Sequence, residues 1–455
     1  MSTIERTKLI SNLESENTFK LDLNDRDYSN QYFHIYQFRL QQLKERVRKE
    51  CIAKWKNGFQ LQDKPVVEKK KVLDIQGKEP CWAVGTIYCE MKYKPNILTE
   101  VINDTYGAPD LVKSYTAPDG SDEIMLEDES GRVLLVGDFI KSTPFVTGVV
   151  VGLLGMEADA GTFQVLDICY PTPLVQKSLP DPTTLKGKKV ALVSGLNIST
   201  TSPEHPLKLQ LLQELMMGRL FNQEKISQVG KLIICGNSVD VPITEASSGK
   251  LISCLEEMGV FLVNTLQSIS IDLMPGYKDP TDKALPQQPL HKALFKDSIK
   301  KYVEDINRDI LYLTTNPYKF DINGLNILAT SGENINDICK YVIPYQNSES
   351  QECIINDTSV EHRLDLMECT LKWQNIAPTS PDTLWSYPFK DSDPFILNEW
   401  PHVYIAGNQP QYGSKDVDIN GCKIKMISVP EYSTTGSVVL LDLETLETEV
   451  ITIEI

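Results

Sequence analysis

The chain has 455 residues, a length that suits two or three domains of about 150 residues each. Its formal net charge of -17 argues against a broad surface for nucleic-acid phosphates, because such a surface needs clustered lysine and arginine. Hydrophobic residues make up 41% of the chain but form no run of about 18, so we expect no membrane span, and the polar start MSTIERTKL predicts no secretory signal.

The first predicted element is a long amphipathic helix from Tyr28 to Trp55. Apolar residues recur at spacings of three and four, which places Tyr32, Tyr36 and Trp55 on one stripe. This pattern is typical both of a helix packed on its own core and of a helix that binds a partner. Residues 39–78 carry 12 basic and 5 acidic residues, as expected of a solvated surface or of a region that docks an acidic partner or approaches DNA.

A β-rich region follows the polar linker at 58–71. Its five candidate strands lie in CWAVGTIYCEM, DEIMLED, GRVLLVGD, PFVTGVVVGLLGM and TFQVLDICY, between Cys81 and Tyr170. Five short strands with glycines at bends predict an OB-fold, which is a small β-barrel. OB-folds often bind single-stranded nucleic acid in a basic groove. This region is poor in basic residues, so the sequence favours a protein-binding barrel over a nucleic-acid-binding one.

Beyond a proline-rich boundary at 171–182, strands and helices alternate. The apolar runs KKVALVSGLN and KLIICGNSVD flank a predicted helix at 207–220, which is a βαβ unit. Further helices are predicted at 250–266, 335–342 and 360–373, and further strands at 269–274, 310–314, 325–330, 402–406, 422–429, 437–441 and 450–455. A polar loop is predicted at 346–357. This order predicts two packed sheets covered by helices, that is, an α/β sandwich.

The chain therefore divides into three predicted parts. They are an N-terminal helical segment and linker (1–71), an OB-fold domain (72–182) and an α/β domain (183–455). Chemistry in an α/β domain is expected at the carboxyl ends of its strands.

Those strand ends can be compared with a calcineurin-like two-metal phosphoesterase, which binds its ions through D-x-H, GD, GNH, a lone His and G-H-x-H. At the corresponding places this chain has Ser194-Gly195-Leu196, Gly236-Asn237, Gly276-Tyr277-Lys278-Asp279, a stretch near Thr330-Ser331-Gly332, and Gly407-Asn408-Gln409-Pro410. The turn glycines are present, and the strong metal ligands are absent from the sequence.

The substituted residues cannot replace those ligands. Leu196 and Pro410 have no coordinating group, and Lys278 places a cation where an ion would bind. The neutral amides are weak ligands, and one carboxylate cannot hold two divalent ions. We therefore expect no catalytic residue, no metal and no cofactor. The degenerate former site comprises Ser194, Leu196, Asn237, Tyr277, Lys278, Asp279, Asn408 and Pro410.

Other catalytic patterns are missing as well. The five histidines show no H-x-H or H-x3-H spacing, and the ten cysteines form no CxxC pair, as expected of reduced intracellular cysteines. No P-loop and no GxSxG motif occurs. The classes left open by the residues alone are a scaffold, a single-stranded-DNA-binding OB protein and an active metallophosphoesterase.

Several specific stretches carry a family resemblance. They are YSNQYFHIY (28–36), DLMPGYKDPTDKALPQQPLH (272–291), TTNPY (314–318), TSGENINDI (330–338), APTSPDTLWSYPF (377–389), DPFI (393–396) and PHVYIAGNQPQYGSK (401–415). Through them the chain resembles the B-subunit family of replicative DNA polymerases, in its polymerase delta branch. The resemblance implies an OB-fold followed by an inactivated calcineurin-like phosphodiesterase domain, and it implies an accessory rather than catalytic role.

The resemblance also implies partners and a location. The expected partners are the cysteine-rich C-terminal module of the catalytic subunit of DNA polymerase delta, a third subunit that carries a clamp-binding peptide, and polymerase zeta in some complexes. DNA would be met only through the complex, in replication and repair in the nucleus, without a membrane.

The loop from Asp272 to His291 is predicted to form a preformed surface, because its prolines restrict the backbone before binding. The alternative is a rigid loop that only covers the sheet edge. The residues predicted to contact partners are Tyr32, Tyr36, Trp55, Tyr277 and Lys278.

Overall fold

The computed structural model describes residues 4–12, 18–22, 26–55, 59–61, 63–95, 112–117, 119–200, 204–241, 247–295, 298–299, 310–342 and 359–454. The predicted polar loop at 346–357 lies outside these residues, as does the last residue of the strand predicted at 450–455.

The N-terminal region contains one long helix and several very short strands. They are β1 (Ser11–Asn12), α1 (Phe33–Lys54), β2 (Gln60–Leu61), β3 (Lys64–Pro65) and β4 (Val67–Glu68). Part of the predicted linker is thus paired: β2 pairs with β3, and β4 pairs with the first strand of the next domain.

Helix α1 starts five residues later than predicted, at Phe33. Asp27 explains the late start, because its Oδ1 accepts hydrogen bonds from the Ser29 backbone N (2.8 Å) and Ser29 Oγ (2.6 Å) and so forms a turn before the helix. The buried face of α1 recurs every four residues. It consists of Ile35, Arg39, Leu43, Val47 and Cys51.

The second region forms the N-terminal sheet. Its long strands are β5 (Cys81–Glu90), β6 (Glu123–Asp128), β7 (Gly131–Val136), β8 (Val150–Glu157) and β9 (Phe163–Cys169), with the short helix α2 (Asp138–Ser142) after β7. All five predicted strands are confirmed, although residues 144–149 before β8 are loop. The order is β4-β5-β6-β7-β9-β8, and β8 also pairs with β5, so each long strand has at least two partners.

Helix α1 packs closely on this sheet, against β5, β8 and β9. A β-carbon on Gly152 of β8 would overlap Cys51 Sγ of α1, so glycine is required where the helix crosses the strand.

The third region contains two six-stranded mixed sheets and their helices. The helices are α3 (Pro182–Leu185), α4 (His205–Met216), α5 (Gln223–Ser227), α6 (Ser248–Thr265), α7 (Glu333–Tyr341), α8 (Val360–Lys372) and α9 (Tyr432–Thr435). The strands are β10 (Lys189–Val193), β11 (Val229–Cys235), β12 (Ser270–Met274), β13 (Leu311–Leu313), β14 (Tyr318–Ile322), β15 (Leu325–Thr330), β16 (Val403–Gln409), β17 (Gly413–Ile419), β18 (Cys422–Pro430), β19 (Ser437–Asp442) and β20 (Thr448–Thr452).

The first α/β sheet has the order β13-β12-β11-β10-β19-β20, and the second has the order β1-β14-β15-β16-β18-β17. In the first sheet the parallel strands β10 to β13 reach one edge, and the antiparallel strands β19 and β20 lie on the other side. In the second sheet the parallel strands β15, β16 and β18 lie between antiparallel strands on both sides. The inner faces share one core, to which β10 contributes Leu192 and β16 contributes Ile405. Helices α4 and α6 cover the outer face of the first sheet, and α7 and α8 cover that of the second.

The predicted elements of this region are found with shifts of a few residues at their ends. Two strands were missed, β14 and β17. Both lie near a sheet margin, and the alternating charges of β17 (GSKDVDI) are typical of an edge strand that is protected from pairing with other chains.

The N-terminal sheet and the α/β region are joined by continuous packing. One apolar core contains Ile87 of β5, Ile335 of α7 and Tyr404 of β16. Helix α1 adds a charged link, because the fully buried Arg39 donates from Nε to Asp393 Oδ2 (2.7 Å). Its other nitrogens donate to the carbonyl oxygens of Pro378 (2.7 Å), Ser380 (2.8 Å) and Gly148 (3.4 Å).

Candidate functional site at the strand ends

The carboxyl ends of β10, β11, β12, β15 and β16 converge. The loops after β10 and β11 continue their parallel pairing, since the Gly195 N donates to Gly236 O (2.9 Å) and the Asn197 N donates to Asn237 O (3.0 Å). Asn197, Asn237 and Asn408 all have left-handed φ values, 47°, 55° and 52°. Asparagine tolerates this conformation better than most residues, so backbone geometry explains part of this composition.

Asn408 fastens three strand ends together. Its backbone N donates to Ser194 Oγ (2.8 Å), and its Nδ2 donates to the carbonyl oxygens of Cys235 (3.0 Å) and Ser331 (2.8 Å). These bonds fix the orientation of the amide. Its Oδ1 is buried and has no hydrogen-bond partner among the described residues.

Asp279 is buried beneath the loops. Its carboxylate accepts hydrogen bonds from the backbone N–H groups of Val239 (2.9 Å) and Gly276 (2.8 Å). Burial raises its pKa to about 7, although the backbone donors act in the opposite direction. Asp279 therefore shapes the turn after β12 and has no free oxygen directed at a substrate.

Lys278 lies at the centre of the converging loops. Its Nζ contacts Asp240 Oδ2 at 2.9 Å, Asn197 Oδ1 at 3.3 Å and Glu431 Oε1 at 4.0 Å. Its backbone N donates to Asn237 Oδ1 (3.0 Å). One side chain thus links loops that follow β10, β11 and β18.

The structure does not bring Leu196 and Pro410 to this centre. Leu196 is 4% exposed and packs in the core between the first α/β sheet and α4. Pro410 is exposed at the end of β16 and does not line the central pocket. The motif comparison placed both at ligand positions, but their side chains point away, into the core and into solvent. The other six predicted residues do lie together.

Sequence reasoning missed a second layer of polar residues. Glu333 accepts from the Tyr277 N (2.6 Å), from Asn316 Nδ2 (3.2 Å) and from Ser331 Oγ. Asn316 Nδ2 also donates to Gln287 Oε1 (2.7 Å). The available signal was the Gly332-Glu333 pair directly after an apolar strand, where a helix begins.

A pocket of about 320 Å³ opens beside this layer. Tyr277 and Trp385, 38% and 37% exposed, stand at its edge, and Lys283 Nζ lies 4.3 Å from the centre of the Tyr277 ring. Lys278 and Asn408 also line it. The pocket is lined by aromatic, charged and amide groups that can bind a partner.

The residues at the centre do not fit a dinuclear metal site. The Lys278 ammonium already pairs with the nearest carboxylate, that of Asp240, and the Asp279 oxygens are bound to backbone N–H groups. Within the described ranges, no three His, Cys, Asp or Glu side chains gather in a way that could hold a metal ion.

The other predicted contact residues lie on α1 and at its two ends. Trp55 is 3% exposed and donates from Nε1 to Asp167 Oδ2 (3.1 Å). Tyr36 packs against the core of the N-terminal sheet, and its burial raises its pKa above the ordinary value. Both are covered by the chain itself. Tyr32, by contrast, is 45% exposed. No helix in the described ranges has both the length and the apolar character needed to span a bilayer.

Comparisons with known proteins agree with one family. The model for the B subunit of DNA polymerases alpha and epsilon matches residues 190–414, and the model for the DNA polymerase delta subunit OB-fold domain matches residues 31–168. The match to a solved archaeal phosphodiesterase spans 58% of this chain and 99% of the phosphodiesterase chain. At 14% identity and a TM-score of 0.28, this likeness carries no conclusion.

Curated relatives cover nearly the whole chain. The DNA polymerase delta small subunit of Saccharomyces cerevisiae is 61% identical over 96% of this chain and 92% of its own length. The DNA polymerase delta small subunit of Arabidopsis thaliana is 35% identical over 83% of this chain and 82% of its own length. DNA polymerase delta subunit 2 of Drosophila melanogaster is 31% identical over 93% of this chain and 94% of its own length. The second region is therefore an OB-fold domain, and the protein is a replication accessory subunit that works in a complex with other polymerase subunits. The chain belongs to the family of DNA polymerase delta small subunits.

Proposed function

We propose that this chain is a scaffold in a DNA polymerase delta complex, where it bridges the cysteine-rich C-terminal module of the catalytic subunit and a third, clamp-binding subunit. It acts in the nucleus in replication and repair and reaches DNA only through the complex. It can also assemble with polymerase zeta. The observation that carries the proposal is the position of Lys278, whose ammonium lies among the oxygens of Asn197, Asp240 and Glu431 at the strand ends.

The proposal includes a finer description of the fold. The N-terminal sheet is a closed OB-type barrel, supported by the pairing of β8 with β5. Residues 183–455 are an inactivated calcineurin-like domain, in which Ser194, Asn237, Tyr277 to Asp279 and Asn408 are remnants of the former metal site. The division at 71 and 182 belongs to the same proposal, with α1 packed on the barrel.

Two exposed surfaces are proposed for partner contacts. The first is the aromatic start of α1, where Tyr28, Tyr32 and Phe33 are 61%, 45% and 62% exposed. The second is the rim formed by Tyr277 and Lys278 next to the 320 Å³ pocket. Exposed aromatic residues of this kind are enriched among the anchors of protein interfaces.

The test is co-expression of the full chain with the C-terminal module of the polymerase delta catalytic subunit, followed by size-exclusion chromatography. The proposal predicts co-elution at equal stoichiometry, retained at high salt because the contact buries apolar surface. A matched control is the same module with its cysteines replaced by serine. Separate elution of the intact module and the folded chain would contradict the scaffold role.

A further inference from the structure

The strand-end site has the composition of a cation site and contains a cation of its own. Around the Lys278 ammonium lie an Asp240 carboxylate oxygen at 2.9 Å, an Asn197 amide oxygen at 3.3 Å and a Glu431 carboxylate oxygen at 4.0 Å. Carboxylate and amide oxygens are also the ligands that hard divalent cations prefer.

A second, independent feature points to the same chemistry. Asn408 is 7% exposed and lines the 320 Å³ pocket together with Lys278 and Glu431. Its Oδ1 has no hydrogen-bond partner among the described residues. The Asn408 amide cannot turn to hide this oxygen, because Nδ2 is committed to two carbonyl oxygens. A β-carbon on Gly195 would lie 2.9 Å from Asn408 Oδ1 and 2.8 Å from Glu431 Cγ, so the two side chains are neighbours.

The oxygens come from segments that are distant in the sequence. Asn197 follows β10, Asp240 follows β11, Asn408 lies in β16 and Glu431 follows β18. Two carboxylates brought together without a cation repel each other, and a positive group between them removes that repulsion. A lysine provides one such charge on a flexible stem, without the fixed geometry of an arginine fork.

We propose that Lys278 is an internal cation that occupies a latent divalent-cation site formed by Asn197, Asp240, Asn408 and Glu431. Loss of the lysine charge opens this site to a hard divalent ion such as Mn²⁺. The inference rests on the proposed function, because it explains how strand ends that hold no metal stay together in a scaffold.

The test compares the full-length wild type with Lys278→Met, which removes the ammonium and keeps most of the apolar stem. Mn²⁺ binding is measured from the loss of the free-ion signal in electron paramagnetic resonance. Lys278→Arg, which keeps the charge, is the matched control. Lys278→Met with Glu431→Gln removes one ligand, and Lys278→Gln is a second neutral variant in case the methionine variant does not fold.

The expected result is Mn²⁺ binding by Lys278→Met with a Kd of about 10⁻⁴–10⁻³ M, the range of weak oxygen-ligand sites. The wild type and Lys278→Arg bind at least about tenfold more weakly, and Glu431→Gln weakens the gained binding about tenfold, or 1.4 kcal/mol. A folded neutral variant that binds no more Mn²⁺ than the wild type overturns the proposal. The proposal is also overturned if adding Glu431→Gln leaves the Mn²⁺ affinity of Lys278→Met unchanged. Either failure leaves co-elution with the catalytic-subunit module unaffected, so it is distinguishable from failure of the scaffold role.

Discussion

Two regions of this protein place a basic side chain among oxygens, with different consequences. At the junction between α1, the N-terminal sheet and the α/β region, Arg39 and Asp393 are fully buried, and three carbonyl oxygens accept the remaining hydrogen bonds. At the strand ends, the side chains of Lys278 and Asp240 are 33% and 46% exposed.

The difference in burial indicates that the junction has a structural role and that the strand-end rim has a binding role. A buried guanidinium is tolerated only if its donors are satisfied, so the junction has one geometry and fixes how the regions meet. A half-exposed ammonium is partly solvated and leaves its neighbours accessible. We infer that the junction makes the chain one body, and that the strand-end rim is free to contact other subunits.

The largest expected effect is at the junction. Arg39→Met leaves Asp393 as an unpaired buried charge, which costs about 3–5 kcal/mol of unfolding free energy. Urea unfolding measures this loss. Asp393→Leu in the same chain is expected to recover part of it, because the stranded charge is removed. If Arg39→Met lowers the unfolding free energy by less than about 1 kcal/mol, as is typical of surface salt bridges, the junction is solvated.

A smaller effect is expected for Asp279→Asn. The amide can accept only through one atom, so one of the Val239 and Gly276 N–H groups loses its partner, at about 1–3 kcal/mol. Burial raises the pKa of Asp279 to about 7, so its protonated form favours the folded state. The folding stability contributed by the protonated Asp279 carboxyl is fully present below about pH 4 and is lost as the pH rises through about 7.

Urea unfolding at several pH values checks the sign of that dependence. The stability difference between the wild type and Asp279→Asn is expected to shrink as the pH rises from about 4 to about 7. A difference that grows over this interval would mean that the folded carboxyl is preferentially ionised. The pKa of Asp337 is also raised, to about 6, so the difference between the two proteins is more informative than either curve alone.

On the rim, Tyr277→Ala is expected to weaken binding of partner subunits by about 1–2 kcal/mol without changing the melting temperature, as expected of an exposed interface aromatic. Tyr93→Ala, which removes a 46% exposed tyrosine from the N-terminal domain, is the matched control. Lower stability with unchanged binding of the folded fraction would make the loop a structural cover and refute its role as an interface.

The smallest effect is expected for the stability of Lys278→Met. Its ion pair with Asp240 is exposed to solvent and screened, so the loss should stay below about 1 kcal/mol at moderate salt. Unfolding curves of this variant and Arg39→Met, recorded together, compare the two regions directly. Equal losses would remove the distinction between a fixed junction and an accessible rim.

The sequence predicted most strands and helices, because apolar periodicity reports which faces are buried. It could not predict Arg39, which occupies an apolar position of α1 and is neutralised by residues more than 300 positions away. It also missed β14 and β17, whose charges and polar residues mask a strand pattern.

The candidate site shows the same division. Residue types at the strand ends indicated the loss of metal ligands, and the structure brings six of the eight residues together. Leu196 and Pro410 were misplaced, because a motif gives the order of residues and cannot give the direction of a side chain after a tight turn. The roles of Asn197, Glu333 and Asn316 were missed because they depend on contacts between separate loops.

The central claim is that the strand ends are held by the chain's own residues and not by metal. The most direct measurement is elemental analysis of the purified full-length chain, combined with an assay for hydrolysis of a simple phosphodiester in the presence of Mn²⁺. The account predicts far less than one divalent ion per chain and no hydrolysis above background. Two tightly held ions per chain, with hydrolysis abolished by Asn237→Ala, would contradict it.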